Sequence, residues 1–409
     1  MHPATRVSLG YAELRRAVEG VRLPAAIVDL DAFDENLEAH LAITRRAGLL
    51  LRLATKSIRV VSLLRRALGR PGTRGLMCYS PHEAERLHAL GFDDLFIAYP
   101  VFRPDDVRAL ARLTREGAVV SVAVDSEEAA LVYSEIAERQ GARLRVVLCV
   151  DMSLRLGGGR LHIGVRRSPV HDEHDVVALA EKIRARPALV LHGLMGYEAQ
   201  VAGLPDKSPF DSQLVRFGKR TLRAASMREL GERRARMAVA LRERGHDLAF
   251  VNGGGTGSLD LTVGETGVTE VTAGSGLFKP LLFDGYESPF VSSLRPACFF
   301  ALEVTRRPGP GMVTCFGGGY VASGSAGPEK LPRPVFPQGL DLSSTEGAGE
   351  VQTPVFGAAA DALRLGDPVF FRHAKAGELM ERFDEVVLVR GGRAVERVET
   401  YRGDGWCFG

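Results

Sequence analysis

Between Pro24 and about Thr272 the chain keeps returning to one pattern: a short run rich in Val, Leu, Ile and Ala, then a longer amphipathic segment. A strand buried on both faces reads as a continuous apolar run, whereas a helix laid over it shows a 3.6-residue period. The alternation therefore predicts a parallel sheet with helices outside it. The apolar runs lie at 24–30, 50–54, 74–78, 94–98, 119–124, 145–150, 188–195, 248–252 and 268–272. Helical patterns fall between most of them, at 58–68, 82–90, 104–115, 126–139, 172–186 and 225–244, with a further helix over 32–47 for which Asp31 is a suitable N-cap. Leaving out the first run gives eight strands, the number that closes a (β/α)8 TIM-type barrel; an open doubly wound sheet is the alternative.

After about Pro280 helical periodicity gives way to Val/Phe/Thr-rich stretches broken by Gly and Pro, at 297–305, 312–316, 367–371 and 386–390. Gly391-Gly392 suits a hairpin turn into 394–401. The expectation is an α/β barrel over 24–285 followed by an all-β domain over 286–409, with residues 1–23 a candidate addition to the second. The stretch 324–349, rich in Pro, Gly and Ser, reads as one long loop.

Composition narrows the function. The net charge is +3 and the basic residues are dispersed, so no block marks a nucleic-acid or membrane surface. The five cysteines are far apart and form no CxxC pair, which argues against a disulfide framework or a zinc ribbon. No apolar run is long enough to span a bilayer, and a soluble, cytoplasmic protein is expected. The cation usage is skewed: seven lysines against forty-six arginines. One of the seven, Lys56, stands just past the first barrel strand. On position alone a solvated strand-end lysine is the commoner case. Lysine differs from arginine, however, in that it can lose its proton and act as a nucleophile.

Two glycine-rich loops raise the second reading. Asn252-Gly253-Gly254-Gly255-Thr256-Gly257-Ser258 follows the seventh barrel strand, and Ala273-Gly274-Ser275-Gly276 follows the eighth. Barrels commonly bind phosphate on the loops after these two strands, where backbone N–H groups and hydroxyls can approach an anion. A phosphate-bearing cofactor that condenses with an amine is pyridoxal 5′-phosphate (PLP).

With these residues in place, the chain resembles the fold-type III PLP-dependent enzymes of the alanine racemase superfamily, and within them the D-threonine aldolase and D-serine dehydratase group. The resemblance rests on Ala26-Ile27-Val28-Asp29-Leu30-Asp31-Ala32 followed by Lys56, and on Phe383-Asp384-Glu385-Val386-Val387-Leu388-Val389-Arg390 near the end. It implies that the first strand joins the C-terminal sheet, that Lys56 is the Schiff-base lysine, and that Gly254, Gly255, Thr256, Gly274 and Ser275 cradle the phosphate. It also implies a homodimer and a small amino-acid substrate. Tyr197 stands where the racemases stack a histidine on the pyridine ring; the plain alternative is a strand-end tyrosine of the barrel core. His162 matches the place of an arginine that holds cofactor and substrate, and Arg160 is the other candidate. Tyr320 loosely resembles the racemase tyrosine contributed by the partner subunit, or is a loop tyrosine.

Two departures bear on the reaction. Thr272 occupies the position of the arginine that racemases place beside the pyridine nitrogen, and a neutral residue there relaxes the limit on the ring as an electron sink. At Arg372-His373-Ala374-Lys375-Ala376-Gly377-Glu378 the aldolases and dehydratases carry two metal ligands. Here His373 keeps the first and Lys375 replaces the second, so a divalent metal is not expected unless Glu378 joins His373. The resemblance then implies a PLP-dependent lyase for a small D-amino acid with a β-hydroxyl, by aldol cleavage or by dehydration and deamination. His373 is the candidate base for aldol cleavage, and Lys375 a fixed charge beside the reacting oxygen. A racemase using Lys56 and Tyr320, or a PLP-binding protein without turnover, are the alternatives.

Overall fold

The computed structural model describes residues 9–157, 160–208 and 211–408. Strand β1 (Ala25–Asp29) comes first, and the barrel then opens on β2 (Leu50–Ala54), β3 (Thr73–Cys78), β4 (Leu95–Ile97), β5 (Val120–Val124) and β6 (Leu144–Asp151). A two-stranded excursion, β7 (Leu154–Leu156) with β8 (Leu161–Ile163), interrupts it before β9 (Leu189–Tyr197), β10 (Phe250–Gly253) and β11 (Glu270–Ala273). Strands β2 to β6 and β9 to β11 form a closed parallel barrel, sealed where Val271 of β11 faces Leu51 of β2. These are the eight runs picked out by their apolar character.

Pleating sorts the side chains to two sides. Leu95, Ile97, Val122, Val124, Val146 and Leu148 face the helices, while Phe96, Ala98, Ala123, Val147, Met195 and Phe250 fill the barrel interior. Arg52 also points inward, fully buried. It forms a two-pronged pair with Glu270 (Nε–Oε1 2.7 Å, Nη2–Oε2 3.0 Å), bonds Asp94 at 2.9 Å, and lies 5.1 Å from the centre of the Phe250 ring. A buried charge persists only when paired and hydrogen-bonded, and this one is both.

The rest of the chain builds a nine-stranded sheet. Its main path runs β15 (Asp341–Leu342), β16 (Gln352–Phe356), β13 (Met312–Phe316), β12 (Cys298–Gly309), β1, β18 (Glu385–Arg390) and β19 (Arg393–Glu399); β17 (Pro368–Arg372) pairs with β12 and carries β14 (Arg333–Phe336). β1 lies antiparallel to β12 and parallel to β18, so the first strand belongs to this sheet and not to the barrel. The hairpin β18–β19 turns on Gly391 and Gly392, both at positive φ as a type I′ turn requires. Helix Tyr11–Ala17 packs Leu14 and Ala17 against Ile27, Phe299 and Phe370 on one face of the sheet.

Three local expectations are corrected. Asp29, not Asp31, caps the helix Leu30–Arg46, because its carboxylate accepts from the N–H groups of Asp31 and Ala32. The stretch 324–349 is not one loop: β14 and β15 lie in it, drawn into the sheet by β17 and β16. The helix expected over 225–244 runs from Gln213 to Glu243, its early turns masked in the sequence by exposed Leu214 and Phe217. All five cysteines are free, and among the described residues no helix is long and apolar enough to cross a membrane.

Candidate active site

Lys56 is the middle residue of a single 3-10 turn, Thr55–Ser57, set directly on the end of β2. Thr55 and Ser57 are buried and Lys56 is exposed. Thr55 Oγ1 donates to Met77 O at 3.0 Å, which ties the turn to β3. The Lys56 ammonium then reaches across the barrel mouth, donates to Tyr99 Oη at 2.9 Å and lies 5.7 Å from the centre of that ring. Tyr99 follows β4, so it too stands at the C-terminal end of a strand, and the same rule that singled out Lys56 could have found it.

Below the amine is an apolar floor. Tyr197 and Cys149 sit one pleat above Met195 and Val147, and with Tyr99 and Met77 they pack on the interior cluster. Burial, aided by neighbouring Glu198, pushes the Tyr197 phenol up to about 12, so it presents a neutral ring. The cation over that ring is Arg167, 5.7 Å from its centre. Neither sequence candidate holds this place: Arg160 is exposed on the β7–β8 turn, and His162 Nε2 lies 3.3 Å from Val165 O.

The two glycine loops meet beside Tyr197. Gly254 has φ +90°, and a Cβ on Gly255 would lie 2.9 Å from Ala202 Cβ and 3.0 Å from the Tyr197 ring. On Gly274 it would lie 2.7 Å from Ala54 O. Both places admit only glycine without movement of a neighbour. The loops are cross-tied: Gly276 N donates to Thr256 Oγ1 at 2.9 Å, and Ser275 Oγ lies 3.0 Å from Ser57 Oγ beside Lys56. Among the described residues the N–H groups of Gly255, Thr256 and Ser275 have no protein acceptor. Unused amide donors on two loops, with a threonine and a serine hydroxyl, fit a phosphate. These donors fit the phosphate of PLP, and Lys56 offers the amine that the cofactor would need.

Thr272 is buried at the end of β11, and its Oγ1 accepts from Asn252 Nδ2 at 2.8 Å. The same Asn252 amide donates to Glu270 Oε1 at 2.9 Å. Because Asn252 supplies the donor, the threonine hydroxyl keeps its own proton free to give. This network ties Thr272 to the Arg52–Glu270 pair beneath it, a connection with no local signature in the sequence.

The β domain closes one side. A Cβ on Gly377 (φ +100°) would lie 2.0 Å from Lys56 O, so the 373–378 segment rests directly on the lysine turn. Arg59 Nε donates to the same carbonyl at 3.1 Å while its guanidinium pairs with Glu381. Lys375 donates to Ser323 O at 3.3 Å, and Glu378 accepts from Ser323 N at 2.8 Å. Burial draws the Lys375 ammonium down from its usual range; Glu378 opposes this, and Lys330, Lys56 and Arg167 reinforce it.

His373 and Tyr320 each pack against aromatic rings. His373 is buried against the Phe278 ring, both ring nitrogens lack partners among the described residues, and burial with Arg372 pulls it down to about 3. The Tyr320 ring packs on Phe300 and Phe383 of the sheet. Where a second metal ligand would stand, two residues beyond His373, the chain carries the ammonium of Lys375, a poor ligand that repels a divalent cation. Asp172, His174 and Asp175 do converge, but on the exposed start of the helix Glu173–Arg184.

The sequence pattern of the alanine racemase N-terminal domain matches residues 28–238, just over half of the chain. The chain belongs to that family, the fold-type III PLP-dependent enzymes. It is 28% identical over 311 residues to the D-threonine aldolase of Arthrobacter sp., covering 76% of this chain and 75% of that one. It is 28% identical over 240 residues to the 3-hydroxy-D-aspartate aldolase of Paracoccus denitrificans, covering 58% of this chain and 55% of the relative. The solved structure of D-threonine aldolase from Filomicrobium marinum superposes with a TM-score of 0.78 at 23% identity, covering 95% of this chain and 96% of that one.

Proposed function

We propose that the protein is a PLP-dependent lyase acting on a small D-amino acid with a β-hydroxyl. The observation that carries this reading is Thr272, a buried neutral hydroxyl fixed by Asn252, at the position the resemblance assigns to the arginine that racemases set beside the pyridine nitrogen. The aldolase names of the relatives support the same class.

Bound at this site, PLP supplies an electron sink for the bonds at the substrate Cα. The residues of the chain do the rest. Lys56 would hold the cofactor, and its amine, beside Tyr99 at the barrel mouth, is placed to act as the base at the substrate Cα. Tyr197 and the glycine loops fix the plane and the phosphate. Lys375 sets an ammonium on the side of the β-hydroxyl, where it stabilises the developing oxygen charge that a metal would otherwise face. Loss of the Cα proton and of the β-hydroxyl as water yields a keto acid and ammonia after hydrolysis. Loss of the β-hydroxyl proton with Cα–Cβ cleavage yields glycine and an aldehyde.

Incubation of the PLP-loaded protein with single D- and L-β-hydroxy amino acids tests the proposal. Keto acid with ammonia, or glycine with aldehyde, from the D series alone supports it; accumulation of the opposite enantiomer would establish a racemase instead. Metal analysis of the active protein is a second test, since stoichiometric zinc or manganese contradicts the role given to Lys375.

A further inference from the structure

We infer that Arg59 is the positioning residue for Lys56, a role that rests on the reading of Lys56 as the amine that takes PLP. Its guanidinium holds the carbonyl of the lysine turn, and an ion pair with Glu381 makes that hold depend on the β domain.

The backbone points to this residue first. Arg59 has φ +54°, one of three non-glycine residues at positive φ among the described residues. The turn Thr55–Ser57 ends with Ile58 N donating to Thr55 O at 2.9 Å and Arg59 N donating to the same oxygen at 3.0 Å. A turn closed in this way puts its next residue in the left-handed region, where glycine is the usual occupant because a Cβ there crowds the backbone. An arginine at such a place acts against the local preference, and persists only where its surroundings determine it. What favours arginine over glycine here is the side chain.

That side chain is only 13% exposed and folds back beneath Lys56. Nε donates to Lys56 O at 3.1 Å, Nη1 pairs with Glu381, and the guanidinium carbon lies 5.1 Å from the centre of the Tyr79 ring. The Arg59 carbonyl accepts from Tyr401 N at 2.9 Å. Tyr401 Oη donates to Glu83, on the helix Pro81–Ala89, and the same carboxylate accepts from Tyr79 N. The turn is thus gripped from the first helices of the barrel and from the C-terminal residues past β19.

Lys56 is the exposed residue between two anchored ones, Thr55 bonded to Met77 O and Ser57 beside Ser275. Among the described residues no backbone N–H is bonded to the Lys56 carbonyl, so Arg59 Nε is its donor. Gly377 covers the same oxygen from the β domain, since a Cβ there would lie 2.0 Å from it. Gly377 caps the 3-10 turn Glu378–Arg382, and Glu381 lies within that turn. One segment of the β domain therefore both presses on the lysine carbonyl and anchors the guanidinium that binds it. A long flexible stem amplifies any rotation of its own peptide, so fixing the carbonyl fixes where the amine reaches, here Tyr99 Oη at 2.9 Å.

Arg59→Gly isolates the side chain, because glycine suits this backbone and the guanidinium alone is lost. The variant is expected to keep or raise its melting temperature, yet to take up PLP about tenfold more slowly, read as growth of the near-visible absorption. Free guanidinium ion, added well below its denaturing range, should restore uptake toward the wild-type rate, which a purely structural role does not allow. Arg59→Lys keeps a charge for Glu381 but loses the Nε donor, and should lie between. Glu381→Gln tests the dependence on the β domain. Uptake should fall by about threefold, the pair being partly exposed. In the unloaded variant the Ile58 and Arg59 amides should also exchange faster with deuterium, on a peptide whose sequence the substitution leaves unchanged. Wild-type uptake in Arg59→Gly, or a loss that tracks a fall in melting temperature and resists guanidinium, would overturn the inference. The exchange measurement needs no cofactor. Absence of any near-visible band in the wild type defeats the lyase reading, whereas faster exchange in Glu381→Gln still supports the hold on the turn and unchanged exchange sinks it.

Discussion

At the residue scale the question is what surrounds one amine. Lys56 is exposed, yet its ammonium is not idle: Tyr99 accepts its hydrogen bond and Gly377 rests on its carbonyl. Lys56→Ala is expected to abolish the near-visible absorption of the PLP-loaded protein, read by comparing spectra of variant and wild type. Tyr99→Phe leaves the ring in its packing but removes the acceptor of a charged hydrogen bond. Discounted for partial exposure, that loss is expected to lower turnover by about tenfold with little change in melting temperature. The scarcity of lysine also takes on a pattern. Lys182, Lys219, Lys279 and Lys330 are paired with carboxylates, whereas Lys56 donates to Tyr99 and Lys375 to Ser323 O.

At the scale of elements, strand ends carry the chemistry and the layer beneath fixes them. Thr272 owes its orientation to Asn252, and Asn252 to Glu270, whose partner Arg52 is wholly buried. Glu270→Gln leaves that guanidinium short of a counter-charge inside the barrel. A loss of about 3–5 kcal/mol is expected, measured by urea unfolding. The 373–378 segment meets the barrel through a glycine that no side chain can replace without movement, because its Cβ would strike Lys56 O and its φ lies at +100°. Gly377→Ala is expected to cost about 1–3 kcal/mol and to impair cofactor retention, seen as PLP lost on gel filtration.

Across the whole molecule, buried titratable groups give the fold opposing pH slopes. Glu83 lies under Lys56, accepting from Tyr79 N at 2.8 Å and Tyr401 Oη at 3.0 Å, and burial outweighs these bonds to raise it to about 7. Between the ordinary carboxylate value and pH 7 the folded chain keeps a proton that the unfolded chain has released, so this group's contribution to stability falls as pH rises through that window. His40 and His373 do the reverse. Burial pulls them down to about 4 and about 3, so the unfolded chain takes up protons below about pH 6.5 and stability falls as pH falls. Glu83→Gln removes the first slope. Its urea midpoint should therefore rise more steeply from pH 5 to 7 than that of wild type; parallel curves would contradict the protonated state assigned to Glu83.

Apolar runs of strand length at regular intervals determined a parallel sheet of eight strands under helices, because a strand buried on both faces reads as a continuous apolar run; its closure into a barrel was shown by the pairing of β11 with β2. The position rule for barrel strand ends, with glycine and lysine chemistry, made Lys56 and the two loops legible as well, and the family resemblance supplied the order of the parts. Tertiary structure alone decided the remaining partners. Tyr99 meets Lys56 from forty-three positions away, and Arg167 lies over the ring of Tyr197, thirty positions on. It also buried His373 against Phe278 while leaving Lys375, two residues on, half-buried and bonded to Ser323 O. Local sequence encodes which face a residue can take; which neighbour waits on that face is set by contacts distant along the chain.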